Sequence, residues 1–351
     1  MTIISEKVRS VGCVEFLLWA DAVPEDLLIT GADIGRPGTT IAVGSILETP
    51  EAQFKMGENG YFLNIETGGG GDKKGINWAD LTTANLPDED IVVETADDDC
   101  DITFFSSLFK KKTGYNDTLK TVYVDAPYAV SVLFGTGCFQ NCKALESVDV
   151  KSPTLQFVNH SAFSGCSALK YISLPNLQSI GDAAFGYAGD KLSTEYMPLV
   201  QVIGKQAFYQ ASVEDIVFPE ALSIGESAFQ NAKDISELVL PKATSFAVNC
   251  FKGATFLNTA IELPSAESIG ASAFENTNIN NILMRSVTSI ASAAFAGVSN
   301  LSCTIMTFSV PSIQANTFPV GTQFYVRPSL INSYKTATNW AQHAANIHPM
   351  P

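Results

Sequence analysis

Three histidines are the only imidazoles available for acid–base work: His160, His343 and His348. His160 stands beside Ser161, the nearest thing in the chain to a base next to a nucleophile. A hydrolytic set also needs a carboxylate to orient the imidazole, and no third member has support. The polarity of a turn accounts for the pair. Seven cysteines are present (Cys13, Cys100, Cys138, Cys142, Cys166, Cys250 and Cys303), without any Cys-x-x-Cys spacing, so neither a metal ligand set nor a disulfide framework is described. Asp97, Asp98, Asp99 and Asp101 offer carboxylates to calcium but lack the Asp-x-Asp-x-Asp-Gly spacing that wraps one ion; they read as a solvated charge run. Gly68 to Gly71 lack the Lys and the strand–helix frame of a phosphate cradle, and read as a linker. No carboxylate pair recurs in the manner of a glycoside hydrolase. The expectation is a chain without catalytic residues, cofactor or metal.

What does recur is structural. Ser223-Ile224-Gly225-Glu226-Ser227-Ala228-Phe229 is echoed by Ile180 to Phe185, Ile203 to Phe208, Ile269 to Phe274 and Ile290 to Phe295. The anchors Phe139, Phe163, Phe185, Phe208, Phe229, Phe251, Phe274, Phe295 and Phe318 follow one another at intervals of 21 to 24 residues. Pro153, Pro175, Pro198, Pro219, Pro241 and Pro264 mark the same period. Two marks at one period define a repeat array that grows in one dimension.

Each unit opens with an apolar alternation, such as Leu169 to Leu174 or Ile279 to Met284, whose period of two predicts a strand. Proline ends it, having no N–H to give to a ladder. The Ile-Gly pair forms a second extended piece, and a short helical turn carries the Ala-Phe step. Burial of each Phe contributes roughly 2 kcal/mol to the stack. Leu119 to Pro127 matches Leu145 to Pro153 and starts the array, with Phe109 as the anchor of an incomplete first unit. The unit after Phe185 puts Glu195 at an aliphatic position, which predicts local distortion or a shifted register. Cys142 and Cys166, each three residues past its Phe, stack in neighbouring units as small buried side chains, with a ladder disulfide as the lesser alternative.

These repeats resemble the BspA-like class of leucine-rich repeats over residues 104–327, on the phrases Ile-Gly-x-x-Ala-Phe and Leu-x-x-Ile-x-Leu-Pro; Arg285 and Phe308 stand where the Pro belongs, and Phe246 replaces Ile. The resemblance implies a leucine-rich-repeat solenoid, one short strand and one short helical turn per unit of about 22 residues, with recognition or adhesion as its function. It also implies that Phe324 to Pro328 is a last strand and that Ser329 to Ala345 is a capping helix, with Leu330, Tyr334, Ala337, Trp340 and Ala344 on its inner side.

The expected organisation is a β-rich attachment module over 1–66, a Gly-rich and acidic linker over 67–103, repeats over 104–327 and a cap over 328–351. In the first part, Val14 to Trp19 reads as a strand, and Ile46-Leu47, Ala52 to Met56 and Tyr61 to Ile65 read as a meander turning at Asn59-Gly60. The stretch from Gly44 through Met56 to Leu63 resembles the small β modules of phage tail and fibre proteins. That implies a virion-associated protein held to other structural proteins by its first module. A bacterial cell-surface adhesin and the binding half of a glycan-active enzyme are the alternatives.

Charge narrows the partners. The net charge of −15 argues against nucleic acid and anionic membrane, which need basic patches. No basic flank and apolar core marks Met1 to Leu18 as a secretory signal, and no apolar run predicts a membrane span. A virion or an extracellular cell surface is the expected location, with protein or surface glycan as partner. The residues that point away from the core between the last two apolar strand positions are Asp149, Ser173, Val217, Val239, Glu262 and Leu283. Three of them are apolar, and an apolar stripe on a solenoid face is a candidate binding surface, to which Tyr171 and Tyr196 add contacts.

Overall fold

The computed structural model describes residues 118–350, except 126, 129, 130, 195, 257 and 258, and before them the backbone of seven short strands. The readings of Val14 to Trp19, of the four glycines, of Asp97 to Asp99, of Phe109 and of Glu195 lie outside the described residues.

The repeats form a parallel β-solenoid with two strand columns. One column is a single ten-stranded sheet built from the second extended piece of each unit; Ser223–Ile224, Ser245–Phe246 and Ser268–Ile269 are successive members, paired in register. The other is the strand face. It contains the alternating strands and is split into three sheets. Thr121–Asp125 and Ser147–Lys151 pair with Val122 opposite Val148 and Val124 opposite Val150, the match expected from sequence. Alternation is visible in burial: Val148 and Val150 are buried, while Ser147 and Asp149 are half-buried. The columns reach back beyond residue 104. Ile91–Glu94, inside the stretch read as linker, pairs with Thr121–Asp125, and Asp101–Phe104, across the boundary at 103, pairs with Ser131–Phe134. Earlier still, Ile46–Glu48, Ala52–Met56 and Phe62–Thr67 form the expected antiparallel meander, with Leu28–Thr30 added in parallel.

The turn over the Ala-Phe step is built from nested reverse turns. Ala183 and Tyr187, two residues either side of Phe185, take the left-handed conformation (φ 52° and 58°). Ala184, Gly186 and Ala188 donate N–H bonds back to Gly181, Ala183 and Phe185, while Ala183, Phe185 and Tyr187 donate to Lys205, Ala207 and Tyr209 of the next unit. Alternate amides therefore close the turn and tie it to its neighbour, so no buried backbone donor in this stretch is orphaned. At Gly225 a Cβ would sit 2.6 Å from the carbonyl oxygens of both Ile203 and Gly204, which explains the small residue after the Ile.

Inside, all nine anchor rings lie in one file. Neighbouring centroids are 4.9–5.4 Å apart with interplanar angles of 2–11°. Each such pair adds roughly 0.5–1.5 kcal/mol beyond the area it buries. The file closes at the C-terminal end on Phe324 and Trp340, which meet Phe318 edge-on and tilted.

The cap differs from the single helix expected over Ser329 to Ala345. A 3₁₀ turn at Pro328–Leu330 leads into an α-helix of six residues, Ile331–Thr336, and a second 3₁₀ stretch covers Ala341–Asn346. Ala337 is extended (ψ 150°) and Asn339 is left-handed (φ 64°), which breaks the helix between them. The break brings the Trp340 indole N–H to the Pro311 carbonyl (2.8 Å) and the Asn339 amide to that of Ile313 (2.7 Å). Satisfying the open carbonyls at the end of the array outweighs continuing the helix. Ile347–Pro349 then pairs in parallel with Gln323–Val326, so the strand expected to be last has one more beside it.

The two breaks in the strand face have a common cause. From the anchor Phe to the last core residue of the following strand is 12 positions for Phe185 to Met197 and for Phe251 to Leu263, but 11 for Phe163 to Leu174 and Phe229 to Leu240, and 10 for Phe208 to Phe218 and Phe274 to Met284. The sheet is interrupted before the strands of those two longer units, at Leu192–Ser193 and at Ala260–Leu263. In the first, the register also slips between Leu192 and Ser193, the distortion expected after Phe185. Thr194 repairs it: its buried hydroxyl donates to the Asp215 carbonyl (2.8 Å) and accepts from the Val217 N–H (2.9 Å). In the second, the Asn278 side chain accepts from the Phe256 N–H and donates to the Phe256 carbonyl, both at 2.8 Å.

Candidate binding face

The strand face carries the residues singled out from sequence. Asp149 stands opposite Ser173, and Val217 opposite Val239. Glu262 pairs with Leu283, and the column continues through Thr304, Tyr325 and His348. The two interruptions divide these residues into three groups: Asp149 with Ser173, Val217 with Val239, and Glu262 with Leu283. Tyr171 and Tyr196 meet across the first interruption, with ring centroids 5.2 Å apart and tilted by 54°. Both are well exposed, at 38% and 45%.

At the second interruption the face opens into a cleft of about 640 Å³. Val239, Glu262 and Leu283 line it; Asp149, Tyr171, Ser173 and Val217 do not. Leu238 belongs to the cleft as well. Its ladder partner Ile216 is fully buried, whereas Leu238 is half-buried and packs against the core from the cleft wall. Sequence alternation assigns Leu238 to the core. The signal that sets it apart is the 12-residue spacing of the next unit, which pulls the neighbouring strand away.

The residues considered for chemistry are dispersed. His160 is exposed and its backbone carbonyl accepts from Gly137. His348 bonds to Gln323 (2.9 Å) on the strand face. His343 is buried in the cap against Phe318 and Phe324; its Nε2 finds no partner and burial holds its pKa below the ordinary value. Cys138, Cys166, Cys250 and Cys303 are buried thiols whose pKa burial pushes up, and the Cys166 thiol donates to the Phe139 carbonyl (3.1 Å). Among the described residues no three His, Cys, Asp or Glu side chains converge as a metal site. No helix of the described residues is long and apolar enough to cross a membrane. The arrangement presents a surface, and the described side chains assemble no nucleophile with its base.

A parallel solenoid with one strand-face element and one nested-turn element per unit is a leucine-rich repeat architecture. The BspA type leucine rich repeat region matches residues 132–258 and 222–323, in six copies and over more than half of the chain. The chain belongs to that family. Among solved structures it is similar to a leucine-rich repeat protein from Bacteroides ovatus, at 18% identity over 64% of this chain and 66% of that one, with a TM-score of 0.44. It is also similar to the pneumococcal vaccine antigen PcpA, at 16% identity over 88% and 97% with a TM-score of 0.42, and to a leucine rich cell surface protein from Faecalibacterium prausnitzii, at 15% identity over 80% and 88% with a TM-score of 0.35. No curated protein matches the chain.

Proposed function

We propose that this chain is a non-enzymatic recognition or adhesion protein whose strand face meets a protein or a surface glycan. The observation that carries the reading is the outward column: Val217 beside Val239, and Leu283 one strand beyond Glu262, put apolar side chains on an otherwise polar solenoid face. Residues 1–66 are proposed as an attachment module for other structural proteins, 67–90 as the connection to the strand columns that Ile91–Glu94 and Asp101–Phe104 join, and 328–351 as the cap. The resemblance of the meander to phage tail and fibre modules supports placement on a virion. Membership of the BspA type family supports the second reading, a bacterial cell-surface adhesin.

Mass spectrometry of purified virions and of cell envelopes separates the two. Recovery with virion structural proteins supports the first, and recovery with envelope components supports the second. For the face itself, Val217→Asp, Val239→Asp and Leu283→Asp together should abolish capture of the full chain by its target particles or cells; undiminished capture by a folded triple variant would mean that another face binds.

A further inference from the structure

We infer that the end of the strand face nearest the cap holds a site for a carboxylate-bearing sugar, built from Arg285, Arg327 and the ring of Phe308; this rests on the reading of the chain as a recognition protein that meets a surface glycan. Charge is unevenly spread along the chain. From Asn276 to Pro351 there is no Asp or Glu, and the Lys and Arg residues of that stretch are Arg285, Arg327 and Lys335. The last acidic side chain before it, Glu275, is paired with Lys252 (3.0 Å). The net charge of −15 therefore belongs to the preceding part of the chain, and the C-terminal units form a basic pole that an anion can approach.

The fold gathers the two arginines. The strands Asn281–Met284, Ser302–Ile305 and Gln323–Val326 pair in register, so the residues that follow them, Arg285, Met306 and Arg327, stand in one row. Both guanidinium groups are anchored on the methionine between them. Arg285 donates from Nη1 to the Met306 Sδ (3.2 Å), and Arg327 donates from Nε to the carbonyls of Met306 (3.0 Å) and Thr307 (3.1 Å). Neither arginine makes an ion pair among the described residues. The Arg327 Cζ lies 4.0 Å from the centroid of the Phe308 ring, and that ring is still 84% exposed. The turn presenting it is fixed from below: the buried Thr307 hydroxyl donates to the Ser309 carbonyl (2.7 Å) and meets the Tyr334 hydroxyl (3.3 Å). Arg327 keeps both terminal nitrogens for a ligand, a fork that fits the two oxygens of a carboxylate. A pyranose acid matches this arrangement, because its C–H face covers an aromatic ring while its carboxylate reaches the cations. Groups held in place beforehand lose little freedom on binding. An acidic peptide fits less well: Gln323–Val326 is paired on both edges, by Ser302–Ile305 and by Ile347–Pro349, so no ladder is open there to a peptide backbone.

The test uses the full chain and two fluorescent oligosaccharides read by anisotropy, one carrying glucuronic acid and one ending in sialic acid. Each has a control whose carboxylates are reduced to alcohols. At least one acid should bind, its reduced control should bind about tenfold or more weakly, and added salt should weaken the acid. Which acid binds separates the two sugar sources. Arg285→Gln with Arg327→Gln should remove the difference between acid and control, and Phe308→Ser should weaken both by about two- to tenfold. Should the double variant melt early, Arg285→Gln alone, at an exposed site, should weaken the acid. Equal binding of acid and control, binding unchanged in all of these variants, failure of both sugar acids, or binding of an acetylated Ser-Glu-Leu-Glu-Val-Glu-Ser peptide in their place would overturn the inference. If the sugar acids fail but the Val217, Val239 and Leu283 triple variant still abolishes capture, the strand face stands and this site falls. If a sugar acid binds as expected while capture by the triple variant is unchanged, this site stands and the reading of the apolar column falls.

Discussion

The two columns of the solenoid are made from the same repeats, yet one runs unbroken through ten strands and the other is cut into three sheets. On the continuous side, the distance along the chain from the Ile-Gly pair to the Phe is constant: Ile180 to Phe185, Ile203 to Phe208 and Ile224 to Phe229 are all five positions apart. In the turn from Ala183 to Ala188 each backbone amide is tied either within the turn or to the next unit, so a residue cannot be added without losing several bonds at once. On the strand face the path from Phe to strand end varies, 8 positions for Phe318–Val326, 10 for Phe208–Phe218 and 12 for Phe251–Leu263, and the longest paths are absorbed as gaps. Length variation in a solenoid collects where the bonding is least redundant, and a recognition surface can be varied there without disturbing the file of rings that holds the array together.

Perturbing each side should sharpen the contrast. The largest effect is expected in the ring file. Phe229→Ala removes the ring between Phe208 and Phe251, and should cost about 3–5 kcal/mol by urea denaturation. A variant as stable as the parent would break the view that the file carries the fold. Next come the sites where backbone meets backbone. Thr194→Val takes the hydroxyl acceptor from the Val217 N–H and leaves the Asp215 carbonyl with the Thr194 N–H in place of two donors, and should cost about 1–3 kcal/mol; the same measurement on a Thr194→Ser variant should recover most of it. Gly225→Val should cost about 1–3 kcal/mol by overpacking against Ile203 and Gly204. Gly225→Ala should cost less, because Ala247 and Ala291 already occupy the equivalent position in their own units.

A smaller and more local effect is expected in the cap. With its folded pKa held below the ordinary 6.5, His343 takes up a proton more readily when unfolded. Its contribution to stability is complete above pH 6.5 and is lost as pH falls below that value toward the folded pKa. Amide protection factors of the Ile331–Thr336 helix, corrected for the slower intrinsic exchange at lower pH, should therefore fall on mild acidification, and His343→Phe should flatten that dependence. Smallest of all is the exposed pair of Lys242 and Glu220, at 2.5 Å across neighbouring units. Lys242→Met should change stability by about 0.2–1 kcal/mol, an effect that added salt erases.

Much of the architecture was legible in the residues. Nine Phe at one period predicted the file, and the file is there with parallel rings. The alternation of Val148 and Val150 with Asp149 predicted which side chains face out. The distortion after Phe185 was visible as well, and appears as the register slip at Leu192. The cleft was visible only indirectly. Nothing in the type of Leu238 distinguishes it from Leu174 or Leu240; its exposure follows from where the next strand lies, and that depends on the path length of a unit some 20 residues further on. The cap shows the same limit. An amphipathic period over Ser329 to Ala345 is compatible with one helix, and only the open carbonyls of Pro311 and Ile313 made a broken one preferable.

The repeat, its register, its core and its acidic character were therefore set along the chain, because period and polarity are local properties that any single unit displays. Where the strand face parts, which core residue is uncovered and how the cap folds back were decided in three dimensions. Each of those depends on the distance between units that share no local pattern, and that distance emerges only when every backbone donor and acceptor in the stack has found its partner.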